Sequence, residues 1–237
     1  MTLNVLQTRD QITVAREHIV GQGLSALDSP LERFARTVGL KRGVAVGDSL
    51  KSWDVDATLS FLQANVPRNA SIADIGCFAS EVLVALHKAG YKDLTGVDLN
   101  KRLRQMPFSE HIRYEVSDFT KTPFDAEAFS AITAISVIEH GYDPEKLLSE
   151  VSRLLKDGGY FIASFDYWPE KIPTGDTQFF GMPWLIFSRE DVHDLMAVAA
   201  AHGLLPVGDL AFEASDRPIE CGGKKYTFAY LILQRHR

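Results

Sequence analysis

The spacing of hydrophobic positions changes along this chain, and the change predicts two regions. Thr8–Val20 has the pattern of a polar helix. The run Ser29-Pro30-Leu31-Glu32 predicts the start of a second helix, because serine can cap it, proline suits the first turn and glutamate completes a capping box. We therefore predict an N-terminal helical cap over residues 1–50 and a larger domain over residues 51–237.

The larger domain begins with short apolar runs that alternate with amphipathic stretches. Helices are predicted over Asp54–Ala64, Glu81–Ala89 and Asp143–Lys156, the last of them stopped by Gly158-Gly159. The apolar runs predict five strands, at Ser71–Gly76, Leu94–Leu99, His111–Val116, Ala131–Ile138 and Tyr160–Phe165. This alternation predicts a doubly wound α/β sheet of parallel strands.

The C-terminal end departs from this alternation. After an alanine-rich helix at residues 189–203, the strand-like runs Leu204–Phe212 and Tyr226–Gln234 follow with no room for a helix between them. Two strands joined without a crossover helix should be antiparallel. We therefore expect the last strand of the sheet to run in reverse.

Composition and charge narrow the classes of function. The chain has 237 residues with a formal net charge of −6, so nucleic acid and anionic membrane surfaces are not expected partners. Neither a signal peptide nor an apolar run of ~20 residues is present, which indicates a cytoplasmic protein. Cys77, Cys221 and the spacing of the histidines do not suggest a metal site. The sequence leaves the oligomeric state open.

The turn after the first predicted strand is the first candidate site. The segment Asp74-Ile-Gly-Cys-Phe-Ala-Ser80 ends that strand, and Asp98 ends the next strand 22 residues after Gly76. In an open α/β sheet, ligands bind beyond the carboxyl ends of the strands. Such a turn brings backbone N–H groups to the ligand, and an acid on the second strand can accept hydrogen bonds from a ribose diol.

An ordered set of segments carries a resemblance to a known family. Ile72–Glu81, Leu94–Leu99, Val116–Phe119 and Ile135–His140 resemble the successive motifs of class I S-adenosylmethionine-dependent methyltransferases, with matching order over roughly residues 70 to 185. The resemblance implies a Rossmann-like, seven-stranded sheet with an antiparallel last strand, and S-adenosylmethionine as the cofactor.

The resemblance also implies roles for individual residues. Asp98 would bind the ribose hydroxyls, Leu99 would pack on the adenine, and Asp118 would accept a hydrogen bond from the adenine amino group. The complete set of implied cofactor contacts is Asp74, Gly76, Cys77, Phe78, Asp98, Leu99, Asp118, Phe119, Ser136 and Val137. Cys77 itself has the character of a small packed residue, because no base lies near it in the sequence.

Two departures from the family pattern leave alternatives open. Phe78 and Ser80 stand where the family usually has glycine, and side chains there crowd the methionine end of the site. One alternative is therefore a catalytically degenerate cofactor-binding module that regulates a partner protein. A nicotinamide-dependent oxidoreductase is disfavoured, because its fingerprint requires glycine at positions 78 and 81.

The substrate side is predicted from the residues after the fourth and fifth strands. His140 is either a loop histidine bonded to backbone or a general base, for which its reference pKa of ~6.5 is suitable. Asp166–Phe187 carries six aromatic residues, which either pack on the N-terminal helices or line an apolar pocket. On the second interpretation Asp166, Tyr167, Trp168 and Phe180 contact the substrate. The leading hypothesis is a methyltransferase that acts on a hydroxyl or amine of a small molecule.

Overall fold

A mostly parallel β-sheet forms the centre of the molecule. The computed structural model describes residues 3–141 and 143–237. Its strands are β1 (Leu3–Val5), β2 (Ser71–Ile75), β3 (Asp93–Asp98), β4 (Arg113–Val116), β5 (Phe129–Ile135), β6 (Leu155–Tyr167), β7 (Gln178–Phe179), β8 (Met182–Pro183), β9 (Leu204–Pro206), β10 (Ile219–Cys221) and β11 (Lys224–Arg235).

The helices flank this sheet on both faces. They are α1 (Arg9–Gly21), α2 (Pro30–Thr37), α3 (Ser52–Asn65), α4 (Val82–Lys88), α5 (Pro144–Leu154) and α6 (Arg189–Ala201). The hydrophobic core divides accordingly into two clusters. Residues of α1, α3 and α4 belong to one, and residues of α5 and α6 belong to the other.

The strand order confirms the predicted fold class. Along the main path of the sheet the order is β1-β11-β6-β5-β2-β3-β4, and β9 and β10 also pair with β11. The pairs β2–β3, β2–β5, β3–β4 and β5–β6 are parallel, whereas β11 runs antiparallel to β6. The fold is therefore a Rossmann-like doubly wound α/β sheet with a reversed last strand.

The order of the strands reverses at β2, and this reversal places the site. β2 lies between β3 on one side and β5 on the other, so the chain leaves it in both directions. The helices that follow these strands diverge to opposite faces and leave a crevice at the carboxyl ends.

The N-terminal region contains a strand that the sequence did not predict. Leu3–Val5 pairs antiparallel with β11, with Leu3 opposite Leu231. The two helices predicted in this region are confirmed as α1 and α2, and α2 has the expected capping box at Ser29. Ile12 and Ile19 of α1 are buried in the same core cluster as residues of α3. The division at residue 50 stays a prediction.

The glycine pair after α5 has a different role from the one predicted. Helix α5 ends at Leu154, and β6 begins at the next residue, so Gly158 and Gly159 lie inside a strand. The register between β5 and β6 shifts there, from Phe129 opposite Leu155 to Ala131 opposite Tyr160. Gly158 has φ +74°, a conformation that favours glycine, so the pair forms an irregularity in the strand and does not stop a helix.

No helix within the described part of the chain is long and apolar enough to cross a membrane.

The antiparallel pairing of β11 predicts a large packing effect at its centre. Leu231 is fully buried between β1 and β6, so Leu231→Ala should lower the free energy of unfolding by ~2–5 kcal/mol. Leu205 of β9 is 41% exposed, and Leu205→Ala should cost only ~0.5 kcal/mol. Urea denaturation of both variants measures the difference, and equal losses would contradict the placement of β11 in the core.

Candidate functional site

A cavity of about 1050 Å³ opens at the carboxyl ends of the parallel strands. It is lined by the turn after β2, the ends of β3 and β5, the segment before α3, the β7–β8 region and the start of β11. The predicted site residues that line it are Gly76, Phe78, Asp98, Leu99, Asp118, Phe119, Ser136, Val137, His140, Asp166 and Phe180. Asp74, Cys77, Tyr167 and Trp168 are predicted site residues that do not line it.

Gly76 holds the turn after β2 close to the end of β5. Its φ is +66°, and its N–H donates a hydrogen bond to the Val97 carbonyl at 2.8 Å. A Cβ at this position would stand 2.5 Å from Cγ2 of Val137. Glycine is therefore required both by the backbone conformation and by the close approach of a neighbouring side chain.

Asp98 connects the second strand to this turn. Its Oδ2 accepts a hydrogen bond from the Phe78 N–H at 3.0 Å, and its Oδ1 accepts one from the Asn100 N–H at 2.8 Å. The carboxylate is half-buried and faces the cavity. Each carboxylate oxygen can accept a further hydrogen bond, so Asp98 can still bind two hydroxyl groups of a ligand.

The outer end of the cavity is apolar with one acid. Leu99 is 60% exposed there, and Phe119 is partly buried. Oδ1 of Asp118 accepts hydrogen bonds from both the N–H and the hydroxyl of Thr120, each at 2.8 Å. These bonds fix the Asp118 carboxylate at the cavity edge, beside surfaces on which a flat ring can pack.

Asp74 and Cys77 support the turn from below. The Thr133 hydroxyl donates to Oδ1 of Asp74 at 2.6 Å, which connects β2 to β5. Burial raises the pKa of the Asp74 carboxyl to about 7, although the Thr133 hydrogen bond lowers it. Cys77 is fully buried, with its sulfur against Gly96. Neither side chain reaches the cavity, so the structure provides no direct ligand contact for them.

The two residues that replace the expected glycines have protein partners. The Phe78 ring lines the cavity and lies 5.8 Å from the Arg102 guanidinium carbon. The Ser80 hydroxyl accepts a hydrogen bond from the Val82 N–H at 3.2 Å, at the start of α4. Both side chains are thus part of the turn's own packing, and Phe78 adds an aromatic surface to the cavity.

The N-terminal region contacts the turn after β2, where the Gly47 N–H donates to the Ala79 carbonyl at 2.8 Å. The sequence did not predict this contact. Arg16 of α1 donates two hydrogen bonds, at 2.9 and 2.8 Å, to the buried Glu81 carboxylate. Glu81 also accepts from the Ala26 N–H at 2.7 Å. Gly47 lies in the segment before α3, and a Cβ on it would stand 2.6 Å from Leu27, so this segment packs tightly. The only indication of this role in the sequence was that Glu81 directly follows the turn.

Two buried acids form the inner end of the cavity. Glu139 is 1% exposed and Asp166 is 4% exposed. The Trp184 indole N–H donates to Oδ2 of Asp166 at 2.7 Å, and the Lys51 ammonium lies 3.8 Å from Oδ1. Burial, with the neighbouring Asp166 carboxylate, raises the pKa of Glu139 to about 8. Burial also raises the pKa of Asp166, although Lys51 opposes that shift.

His140 stands between the inner acids and the aromatic residues of the loop after β6. Its ring centroid lies 5.4 Å from that of Phe180 and 6.2 Å from that of Phe179. Nδ1 is buried and has no hydrogen-bond partner within residues 3–141 and 143–237. Burial lowers the pKa of His140, which leaves the imidazole neutral at neutral pH.

Tyr167 and Trp168 lie away from the cavity, contrary to expectation. Successive residues of a strand point to opposite faces, so Asp166 faces the cavity and Tyr167 does not. The Tyr167 hydroxyl donates to the Phe212 carbonyl at 2.8 Å, and the Arg217 guanidinium lies 4.0 Å from the Trp168 ring centroid. Aromatic residues that sequence reasoning did not assign line the wall instead, namely Phe179, Trp184, Tyr226 and Phe228. Of the aromatic residues predicted on the substrate side, Phe180 lines the cavity, and it is 87% exposed.

The described residues contain no group of three or more His, Cys, Asp or Glu side chains arranged to hold a metal ion.

Comparison with known proteins agrees with this geometry. A family model described as a methyltransferase domain matches residues 73–163. The ubiquinone biosynthesis O-methyltransferase of Coxiella burnetii is 30% identical over 94 residues, which are 37% of this chain and 40% of that protein. The chain therefore spans less than half the length of this curated relative.

A solved structure shows the same fold over nearly the whole chain. The geranyl diphosphate C-methyltransferase of Streptomyces coelicolor A3(2), solved with S-adenosyl-L-homocysteine, has a TM-score of 0.55 and 19% identity. The match covers 96% of this chain and 98% of that one. At this identity the likeness concerns the fold.

One further relative bears on the expected partners. A tRNA U34 carboxymethyltransferase of Campylobacter hominis is 33% identical over 94 residues, 37% of this chain and 33% of that protein. The expectation that nucleic acid is not a partner is therefore not supported by the relatives.

The close contact at Gly76 predicts a specific loss of stability. Gly76→Ala should lower the free energy of unfolding by ~1–3 kcal/mol more than Gly90→Ala, because only the first substitution overpacks a neighbour. Gly90 also has positive φ, at +92°, but its added Cβ would meet nothing within 4 Å. Urea denaturation of the two variants measures the difference. Equal losses would mean that the backbone conformation alone requires glycine.

Proposed function

We propose that this chain is a class I S-adenosylmethionine-dependent methyltransferase that transfers a methyl group from S-adenosylmethionine to a hydroxyl or amine of a small molecule; the methyltransferase-domain match over residues 73–163 supports this proposal. The observation that carries the proposal is the continuity of one cavity, from Asp98 and the Gly76 turn to His140 and the inner acids. A cofactor bound at one end and an acceptor bound at the other would meet inside it.

The residues at the outer part of the cavity fit this cofactor. The Asp98 carboxylate keeps acceptor capacity for two ribose hydroxyls, and Leu99 with Phe119 offers apolar surface for an adenine. Gly76 lines the cavity, and a Cβ at this position would collide with Val137, which lines it as well. Ser136 lines the same cavity, and its buried hydroxyl has no hydrogen-bond partner in the described part of the chain, so we assign it to the amino-acid end of the cofactor.

The chain's own contribution to the reaction would be positioning and proton removal. When bound, S-adenosylmethionine supplies an electrophilic methyl group on a sulfonium. An acceptor oxygen must lie in line with that methyl group and must lose its proton as it attacks. His140 lines the cavity, and burial lowers its pKa, so its neutral imidazole is the group that would accept that proton.

Sequence departures at Phe78 and Ser80 favour a second candidate, a degenerate module that binds the cofactor without turnover. The observation that supports this second candidate is that Phe78 lines the cavity. Methyl transfer from labelled S-adenosylmethionine to any member of a panel of small hydroxyl and amine compounds would exclude it. Tight cofactor binding with no transfer to the whole panel would favour it.

The first prediction tests the cofactor end. S-adenosylhomocysteine should bind with micromolar affinity, ~8 kcal/mol at 1 μM. Asp98→Ala should weaken binding at least tenfold, because it removes charge-assisted hydrogen bonds worth ~1.5–3 kcal/mol each. Calorimetric titration measures both affinities. Glu115→Ala, at a residue of β4 outside the cavity, is the matched control and should bind normally. Unchanged affinity in folded Asp98→Ala would refute the assignment.

The second prediction tests His140 once the panel has identified a hydroxyl acceptor. His140→Gln should lower kcat ~100-fold or more and leave the affinity for S-adenosylhomocysteine within about twofold. A base acts only when deprotonated, so wild-type kcat should fall as pH drops through the His140 pKa. Because burial lowers that pKa, the acid limb should lie below about pH 6.5.

The control for this experiment is His193→Gln, at a histidine of α6 outside the cavity. It should leave kcat and the pH profile unchanged. An acid limb that persists unaltered in His140→Gln would show that another group is the base.

A further inference from the structure

The inner end of the cavity has features of a binding site that methyl transfer alone does not require. Five side chains from separate parts of the chain meet there and line the cavity, namely Lys51, Glu139, Asp166, Trp184 and Tyr226, which we call the inner polar end. Glu139 follows β5, Asp166 lies on β6 and Tyr226 lies on β11. A few polar groups from separate elements, placed together in a mostly apolar cavity, are typical of substrate recognition.

Two carboxyl oxygens at the inner polar end lack hydrogen bonds. Glu139 is 99% buried, and its Oε2 has no partner among the described residues. Asp166 is 96% buried, and its Oδ1 has no hydrogen-bond partner among the described residues, although the Lys51 ammonium lies 3.8 Å away. The Tyr226 side chain also interacts with the Asp166 carboxyl. Buried polar atoms in folded proteins are nearly always hydrogen-bonded. These two oxygens belong to side chains that line one cavity, so a ligand that reaches them would supply the missing donors.

The inner polar end favours a neutral ligand group over an ionic one. A carboxylate or phosphate of the ligand would meet Glu139 and Asp166, with a single compensating cation at Lys51. Behind Lys51 lies a further buried carboxyl, that of Asp54, which accepts from the Ser164 hydroxyl at 2.8 Å. An ammonium group of the ligand would instead lie beside Lys51 itself. A neutral hydroxyl meets neither difficulty, since it donates to a carboxylate oxygen and accepts from the ammonium.

Aromatic rings surround the polar groups and hold them in place. The Lys51 ammonium lies 3.5 Å from the centroid of the Phe228 ring, and the Trp184 ring lies 5.7 Å from that of Tyr226. Trp184 is fixed by its hydrogen bond to Asp166. Flat apolar surfaces beside hydroxyl-binding groups match a ring whose faces are apolar and whose edge carries hydroxyls.

We propose that the inner polar end binds two hydroxyl groups on one ring of the methyl acceptor, with Asp166 and Glu139 as acceptors and Lys51 as donor. The substrate class is thus a neutral ring compound with adjacent hydroxyls. This chemistry is shared by saccharides and by aromatic diols. That this ring compound is the methyl acceptor rests on the proposed function. Whether the inner polar end binds it can be tested without turnover.

The test is a set of calorimetric titrations on the full chain saturated with S-adenosylhomocysteine. The probes are methyl β-D-glucopyranoside, catechol, cyclohexylamine and cyclohexanecarboxylate. At least one of the two diols should bind, and the amine and the carboxylate should bind at least tenfold more weakly. Which diol binds more tightly distinguishes a saccharide from an aromatic acceptor. Tighter binding of the amine or the carboxylate than of both diols would overturn the proposal, as would no binding by any probe.

Substitutions at the inner polar end test whether the diol binds to the named residues. Asp166→Asn should weaken binding of the diol about tenfold, because a neutral amide oxygen replaces a charged acceptor. Glu145→Gln, at an exposed carboxylate of α5, is the matched control and should change nothing. If Asp166→Asn does not fold, Glu139→Gln tests the same site, since it replaces the second acceptor. Diol affinity that is unchanged in the folded variant would overturn the proposal.

Failure of this inference and failure of the proposed function give different results. If S-adenosylhomocysteine binds and no diol does, the cofactor site stands and the inference is wrong. If S-adenosylhomocysteine does not bind, the proposed function is wrong. The same probes titrated into the free protein then still decide whether the inner polar end binds hydroxyl groups.

Discussion

The parallel pairing of β2 with β3 on one side and β5 on the other is the constraint on which the site depends. Because these strands are parallel, their carboxyl ends meet at one edge of the sheet. The turn after β2, the Asp98 carboxylate and the residues that follow β5 are brought together by this pairing alone. The Gly76 turn then fits against Val137, a contact with no space for a Cβ. Residues that are 22 to 64 positions apart in sequence thereby line one cavity.

The parts of the site that could be predicted are those that this pairing fixes directly. Asp98, Ser136 and His140 come at strand ends, so strand boundaries and hydrophobic runs suffice to place them. The prediction that Tyr167 contacts the substrate was wrong for a related reason. Strand β6 extends to Tyr167, further than its apolar pattern indicated, and the alternation of a strand then turns Tyr167 away from the cavity.

Other features depend on long-range contacts that carry no local signal. Leu3–Val5 forms a strand only because it pairs with β11. A run of three residues is too short for its hydrophobic period to predict a strand. Lys51 lies in a single turn before α3 and reaches the cavity through its ion pair with Asp166, 115 residues later in the chain. The pairing of Arg16 with Glu81 likewise joins distant helices. In each case the partner, and not the local pattern, determines the role.

Burying a carboxyl group costs free energy, and a folded protein retains a buried acid where other interactions offset that cost. Asp54 and Asp74 each accept one hydrogen bond, from the hydroxyls of Ser164 and Thr133, and neither lines the cavity. Glu139 and Asp166 do line the cavity, and each of them, like Asp54 and Asp74, keeps one oxygen without a hydrogen bond among the described residues. The position at the cavity wall, and not the missing hydrogen bond, separates the acids available to a ligand from those that stabilise the sheet.

The central claim is that cofactor and acceptor occupy opposite ends of one cavity. A crystal structure of the chain soaked with S-adenosylhomocysteine tests it most directly. The account predicts the ribose at Asp98 and the sulfur directed toward His140 and the inner polar end. A nucleoside bound away from Asp98, or a sulfur directed out of the cavity, would contradict it.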